Sequence, residues 1–352
     1  MASMKSYALL LALLQLAVLT VTAQEPVLHP QTANGHLHSR SVRMDSLREV
    51  HRHRIDSITA QRYYGVKVDT TYIRRPSEKW TLKLRINTSG SGMDARGLSG
   101  SSRFHSSLQA DFRNTLSISA AYRGLAAGIA FNPAHFKGQN NSFEFNMNSY
   151  ANRYGFDIVY SSNKTYNGTI DRDGLKAHIN RGDLYQQQLN INGYYAFNYR
   201  RFSFPAAFSQ SYIQRRSAGS WLLGLSYQWN HINADSVSGK RGAVSLRMHN
   251  FAIGGGYGYN FIPHRRILIH MSLLPTMILY SHITMFNGPQ RVHLNYKIPE
   301  IIVTGRGAFI YSWKHCFIGS TVVYNYSRVG DEDKLLLRSL KWRVRTFWGI
   351  RF

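Results

Sequence analysis

From Trp342 to the last residue, apolar and polar positions alternate. Trp342, Val344, Thr346, Trp348, Ile350 and Phe352 share one parity, and Arg343, Arg345, Phe347, Gly349 and Arg351 share the other. A period of two marks a β-strand whose two faces meet different surroundings. The pattern recurs with Trp80, Leu82, Leu84 and Ile86 against Lys79, Thr81, Lys83 and Arg85, and with Trp221, Leu223, Leu225, Tyr227 and Trp229 against Ser220, Gly224, Ser226 and Gln228. Leu189–Tyr199, Phe251–Phe261 and Ile301–Trp313 read the same way. Phe104 to Tyr122 reads as one long strand with Leu108, Ala110, Phe112 and Leu116 on its apolar face, and Arg123-Gly124 turns it into a hairpin. Phe143, Phe145 and Met147 differ in parity from Tyr154, Phe156, Ile158 and Tyr160, which demands a bulge or a turn near Ala151-Asn152. Pro275, amid apolar residues of both parities, predicts an irregular strand or a partly inserted loop.

One face of these strands is aromatic and aliphatic, and the other is small, polar or cationic. That division suits a transmembrane antiparallel β-barrel, whose lipid-facing residues occupy every second position. Trp221 and Trp229 lie eight steps apart, about 26 Å along a strand and roughly 20 Å across a membrane at a tilt of about 40°. The 13% aromatic content, with 22 Tyr, fits two interfacial girdles. An aromatic carboxy-terminus on such a strand resembles the closing strand of bacterial outer-membrane barrels. The 274 residues from Lys79 to Phe352 allow about 12 strands of roughly ten residues. The segments 89–103, 133–141, 162–182, 231–242 and 328–338 read as long external loops.

Lys5, the apolar run Tyr7–Val21 and the small residues to Ala23 read as a secretory signal peptide over 1–23. No later run is long and apolar enough for a spanning helix, and a mean hydropathy of −0.30 is uninformative for a barrel. Residues 24–78 read as a periplasmic basic linker with a short amphipathic helix around Met44, Leu47, His51, Ile55 and Ile58. Its pairs His36/His38 and His51/His53 are assigned no metal. Cys316 stands alone, so no internal disulfide can form. No cofactor motif is present.

Charge comes closest to function. Without Lys5 the chain has 42 Lys plus Arg against 18 acids, a net of +24. At an outer membrane such a field engages lipopolysaccharide phosphates or draws anions into a lumen; export makes nucleic acid an unsuitable partner. If first and last strands pair, Lys79, Lys83 and Arg85 share an inner wall with Lys341, Arg343, Arg345 and Arg351, a like-charged seam that Asp111, Glu144, Asp157 and Glu300 are too few to neutralise. The pore-lining candidates are Lys83, Arg85, Arg113, Arg306, Arg343, Arg345 and Arg351. The reading is a channel or transporter with a basic lumen, with no catalytic residues. Its alternative is a structural, assembly or secretion component with a plugged lumen and envelope partners engaged through residues 24–78. A more distant one is a lipid hydrolase using His105 and Ser107, which the parity above turns inward, away from lipid. Asp331, Glu332 and Asp333 could hold a divalent ion between lipopolysaccharide phosphates, but a solvated loop is the stronger reading.

The segments YYGVKVDTTYI (63–73), KWTLKLRIN (79–87), YRGLAAGIAFNPA (122–134), FEFNMNSYANRYGFDIVY (143–160) and FPAAFSQSYIQRRSAGSWLLGLSY (204–227) together resemble an uncharacterised family of Bacteroidota outer-membrane barrels, domain of unknown function 4421. The resemblance implies fold and location in the Gram-negative outer membrane. It implies no catalytic residue.

Overall fold

A computed structural model describes residues 67–352 apart from 100–101, 123–124, 134–142, 235–243, 288–289, 295–299 and 332–334. A two-residue strand, β1 (Ile73–Arg74), precedes the wall. β2 (Trp80–Ser99), β3 (Ser102–Ala110), β4 (Arg113–Tyr122) and β5 (Leu125–Phe131) follow, then β6 (Phe143–Tyr150), β7 (Tyr154–Asn163), β8 (Tyr166–Arg172), β9 (Leu175–Ile179) and β10 (Leu184–Ala196). The long connection after β10 holds one helical turn, α1 (Phe204–Phe208), and β11 (Ile213–Gln214). The remaining strands are β12 (Ala218–Ala234), β13 (Val244–His264), β14 (Ile267–Asn287), β15 (Gln290–Leu294), β16 (Ile301–Trp313), β17 (Cys316–Asp331) and β18 (Leu335–Arg351).

The fold is a transmembrane antiparallel β-barrel. Its wall runs β6-β7-β10-β12-β13-β14-β16-β17-β18-β2, and β4 and β5 bring it to twelve strands. β18 pairs with β2 from Leu335↔Gly97 to Arg351↔Thr81, and the Trp80 and Phe352 amides each donate to the other's carbonyl (2.8 and 3.0 Å). Trp80, Leu84, Ile86, Leu116, Trp221, Leu225, Phe251, Tyr257, Leu273, Phe309 and Trp348 are exposed on the outside. An apolar surface of this extent has no place in water and forms the band a bilayer covers.

Register shifts between Phe251/Ala252 and Phe261/His264 on the β13–β14 ladder, and the facing of the chain reverses at Asp111-Phe112. Leu108 and Ala110 are buried inside, yet Phe112 is 56% exposed, so the chain reverses its facing at Asp111-Phe112 and the expected single strand becomes β3 and β4. Phe112 then packs edge-on against Trp342 outside (5.6 Å between ring centroids), and the Asp111 amide donates to Thr165 Oγ1 (3.2 Å). Beyond this break β3 pairs with β8, from Ala110↔Tyr166 to Phe104↔Arg172, whereas β4 pairs with β5. The reversal turns His105 and Ser107 outward, correcting their inward placement from parity. Segments 89–99 and 102–103 are strand rather than loop, 162–182 contains the β8–β9 hairpin, and β17 and β18 extend through 328–331 and 335–338. The parity change near Ala151 is a turn, closed by the Ala151 amide on the Tyr154 carbonyl (3.1 Å).

Pro275 is an ordinary strand residue opposite Val303. On the other side, the β13 ladder carries no partners between Ile253↔Met277 and Tyr257↔Leu273, so a residue lacking an N–H sits where the ladder is interrupted. Gly254 and Gly256 make the approach possible: a Cβ on either would lie 2.1 Å from the carbonyl oxygen of Pro275 or Leu273 respectively. Gly256→Ala is expected to cost about 1–3 kcal/mol through this backbone clash, read as a lower urea midpoint of the refolded barrel.

Inside, each strand is ordered from end to end. We call the end bearing Trp80 and Phe352 the floor and the opposite end the rim. Along β18 the inward residues run Phe347, Arg345, Arg343, Lys341, Ser339, Leu337; along β10 they run Ala196, Tyr194, Asn192, Asn190, Gln188, Gln186, Leu184. Towards the rim, Met93, Leu108, Tyr166, Ile179, Leu184, Ile232, Met248, Ile278, Ile302, Val329 and Leu337 form one cluster, each less than 9% exposed. Inward side chains from so many strands lose water only by meeting across the lumen, so this cluster is a rim seal.

Candidate functional site

The floor is closed by the chain itself. Ser203 caps α1, its Oγ accepting from the Ala206 amide (3.2 Å), and Pro205 fits the first turn, where no N–H is needed. Phe202 and Phe204 are fully buried, with Phe204 stacked on Tyr194 (4.4 Å) and against His270 (5.1 Å). A polar network fixes the connection: Asn260 Nδ2 donates to the Ser203 carbonyl (2.9 Å) and Gln214 Oε1 (3.0 Å), and Asn260 Oδ1 meets His270 Nδ1 (2.7 Å). The tip is held by wall cations. Lys83 Nζ donates to the Ser209 carbonyl and to Gln210 Oε1 (2.9 Å), and Arg351 donates to the Gln210 carbonyl (3.1 Å). Gln210 takes a left-handed φ of 56° to present both acceptors.

Residues 67–78 belong to this floor. Ile73 is fully buried, and β1 pairs with β11 through Ile73↔Gln214 and Arg74↔Ile213. Asp69 anchors the entry: the Thr71 hydroxyl (2.6 Å) and amide (3.1 Å) donate to Oδ1 and Arg201 to Oδ2 (3.2 Å). The Thr71 hydrogen bonds and the Arg201 charge hold its carboxyl below the usual range despite some desolvation.

Between floor and rim lies a charged tier. Lys83, Arg85, Arg113, Arg306, Lys341, Arg343, Arg345 and Arg351 all turn inward, at the positions the alternation assigns. The β2–β18 register separates the cations expected to face each other: Lys83 lies opposite Gly349, Arg85 opposite Phe347, Arg345 opposite Asn87 and Arg343 opposite Ser89. On the β2–β18 ladder no like-charged pair is directly opposed, so the cross-strand repulsion there is reduced. Glu144 lies beside Arg343, which donates to it, and Lys341 (3.8 Å). Asp157 accepts from Arg306 (3.1 Å) and from the Tyr150 hydroxyl. Asp111 pairs with Arg181 (2.8 Å), and Glu300 takes the Gly330 amide.

The wall and the plug tip enclose a cavity of about 380 Å³ lined by Lys83, Arg85, Arg113, Arg343, Arg345 and Glu144 among others. Arg85 Nε and Arg113 Nε are buried without a hydrogen-bond partner. Desolvated guanidinium groups need water or an anion. The sequence identified its cations; the plug tip at Ser209-Gln210 was missed, although the turn-rich, aromatic segment 197–217 interrupts the alternation.

Elsewhere, His105 Nε2 lies 2.8 Å from Asp94 Oδ2 on the outer face of the β2–β3 hairpin. Among the described residues no group of three metal-capable side chains occurs, and no helix is long and apolar enough to cross a membrane. His36, His38, His51, His53, Glu332 and Asp333 lie outside the described residues.

The match to the domain of unknown function DUF4421 covers residues 67–352. The chain belongs to this family. No curated protein sequence matches it. Among solved structures, the outer membrane protease OmpT from Escherichia coli is similar at 8% identity and a TM-score of 0.43, over 79% of this chain and 98% of that one. The outer membrane protein OprG from Pseudomonas aeruginosa is similar at 9% identity and 0.28, over 78% and 97%. The Pseudomonas putida toluene transporter TodX gives 7% and 0.25, over 79% and 91%. At these values the likeness carries nothing about activity.

The DUF4421 chain's charged tier is testable. Glu144→Leu leaves Arg343 and Lys341 without their carboxylate and is expected to destabilise the barrel by about 3–5 kcal/mol, measured as a fall in the urea midpoint followed by tryptophan fluorescence.

Proposed function

We propose that this DUF4421 protein is an outer-membrane barrel that binds and passes small anionic solutes and is closed at rest by its own plug. The observation that carries the reading is the cavity itself, in which Arg85 and Arg113 present buried nitrogens with no protein acceptor. A lumen whose cations outnumber the carboxylates among them raises the local anion concentration, and rings of Arg and Lys are a selectivity device for anions. The exposed apolar band supports the membrane placement. On this reading the floor, with Trp80 and Phe352, and the plug face the periplasm, the long hairpins face outward near lipopolysaccharide, and the chain has no catalytic role.

A second reading, a plugged envelope component, draws on the β1–β11 pairing, which ties the segment after residue 66 to the plug.

Planar-bilayer recording separates the two. The intact refolded protein is expected to pass little steady current, whereas replacing residues 203–215 by a short Gly-Ser linker, together with Met248→Ser and Leu337→Ser in the rim cluster, opens a steady anion-selective conductance. Adding Arg85→Glu and Arg345→Glu to that variant is expected to abolish the anion preference. A folded linker variant that stays silent moves the weight to the envelope component, and a cation-selective current sinks the basic-lumen reading.

A further inference from the structure

The chamber has a side opening. Among the described residues nothing pairs with the second edge of β5 or the first edge of β6, although both carry outward apolar side chains at bilayer depth: Ile129 is 66% exposed, Phe131 45%, Phe143 41% and Met147 44%. No ladder hydrogen bonds hold these two edges together among the described residues, so this junction is where the described wall can part. The cavity borders it. Its lining includes inward-facing Gly128 and Asn146 and also Ile129 and Met147, whose side chains belong to the outward-facing parity of β5 and β6. Small inward residues on β5, Ala126, Gly128 and Ala130, leave the passage wide on that side.

Resting on the anion chamber of the preceding section, we propose that its ligand is an anionic amphiphile, a single acyl chain ending in a carboxylate or phosphate, admitted sideways from the bilayer between β5 and β6. The head meets Arg85, Arg113 and Arg345; the chain lies in the gap against Ile129 and Met147. The rim seal closes one axial route, and the lining that continues to Glu78 and Lys79 at the floor is charged, so the junction of β5 and β6 is the apolar side of the chamber. A strand from a second copy would satisfy the edges but bring no charge to the guanidinium groups behind them. A soluble anion would satisfy the guanidinium groups but gain nothing from an apolar mouth.

The test uses the full mature chain in a neutral detergent with three probes: palmitate, 1-hexadecanol and inorganic phosphate. One palmitate per chain is expected to be retained at least tenfold more tightly than either hexadecanol or phosphate. Arg85→Gln with Arg345→Gln is expected to bring palmitate to the hexadecanol level while the barrel keeps its heat-modifiable gel mobility. In a Cys316→Ser background, Ile129→Cys with Met147→Cys bridged by a bismaleimide is expected to slow palmitate uptake at least tenfold and leave phosphate binding unchanged. Phosphate binding as tightly as palmitate would overturn the amphiphile and leave the anion chamber standing; binding of neither would overturn both. Palmitate retention insensitive to the arginine substitutions would mean that the chamber does not hold the head. Spontaneous disulfide formation between the two cysteines would mean that the opening is closed.

Discussion

Inside a bilayer no water is available to the peptide group, so a sheet that spans it must satisfy its own edges. The ladder between β2 and β18 meets this demand for the first and last wall strands, and the rest of the molecule answers to it. Once the two strands are joined with Trp80, Leu84, Trp348 and their neighbours outward, the period of two leaves Lys83, Arg85, Arg343, Arg345 and Arg351 no direction but inward. The barrel's basic lumen is thus a consequence of the same alternation that makes it lipid-compatible.

Cations so confined need compensation, and the interior supplies it unevenly. Lys83 and Arg351 spend their hydrogen bonds on the plug tip, Arg343 and Lys341 share Glu144, and Arg306 has Asp157. Arg85 and Arg113 keep buried nitrogens that no protein group satisfies. The plug is built as core rather than as a loose lid: Phe202 and Phe204 are buried against Tyr194 and His270, and Asn260 and Gln214 tie its backbone to the wall. With aliphatic side chains closing the rim, the charged tier lies between the plug and the rim cluster, and among the described residues β5 and β6 share no ladder.

Much of this was legible in the sequence, because a two-residue period states which side chains share a face. The outward band and the inward set of cations follow from it, and the pairing of first and last strands follows from closing the barrel. Parity fails where the chain reverses its facing: the extra residue at Asp111-Phe112 moved Leu108 and Ala110 inside and His105 and Ser107 outside, and periodicity alone cannot see a reversal that preserves apolar spacing on both sides. Pro275 looked irregular because its accommodation depends on Gly254 and Gly256 of the neighbouring strand. The seals were written in the inward residues of β10 and β18, apolar at both ends and polar between, but alternation reports a side chain's face and not its height. The plug segment 197–217 has no period at all, and its docking rests on long-range partners such as Lys83 with Gln210.

The central claim is that the lumen holds an anion chamber closed at floor and rim. Anomalous diffraction from crystals of the refolded protein soaked in bromide tests it most directly. The account predicts bromide between Arg85, Arg113 and Arg345, with Ser209 and Gln210 still seated on Lys83. A lumen free of bromide, with those arginines turned onto carboxylates, would contradict it.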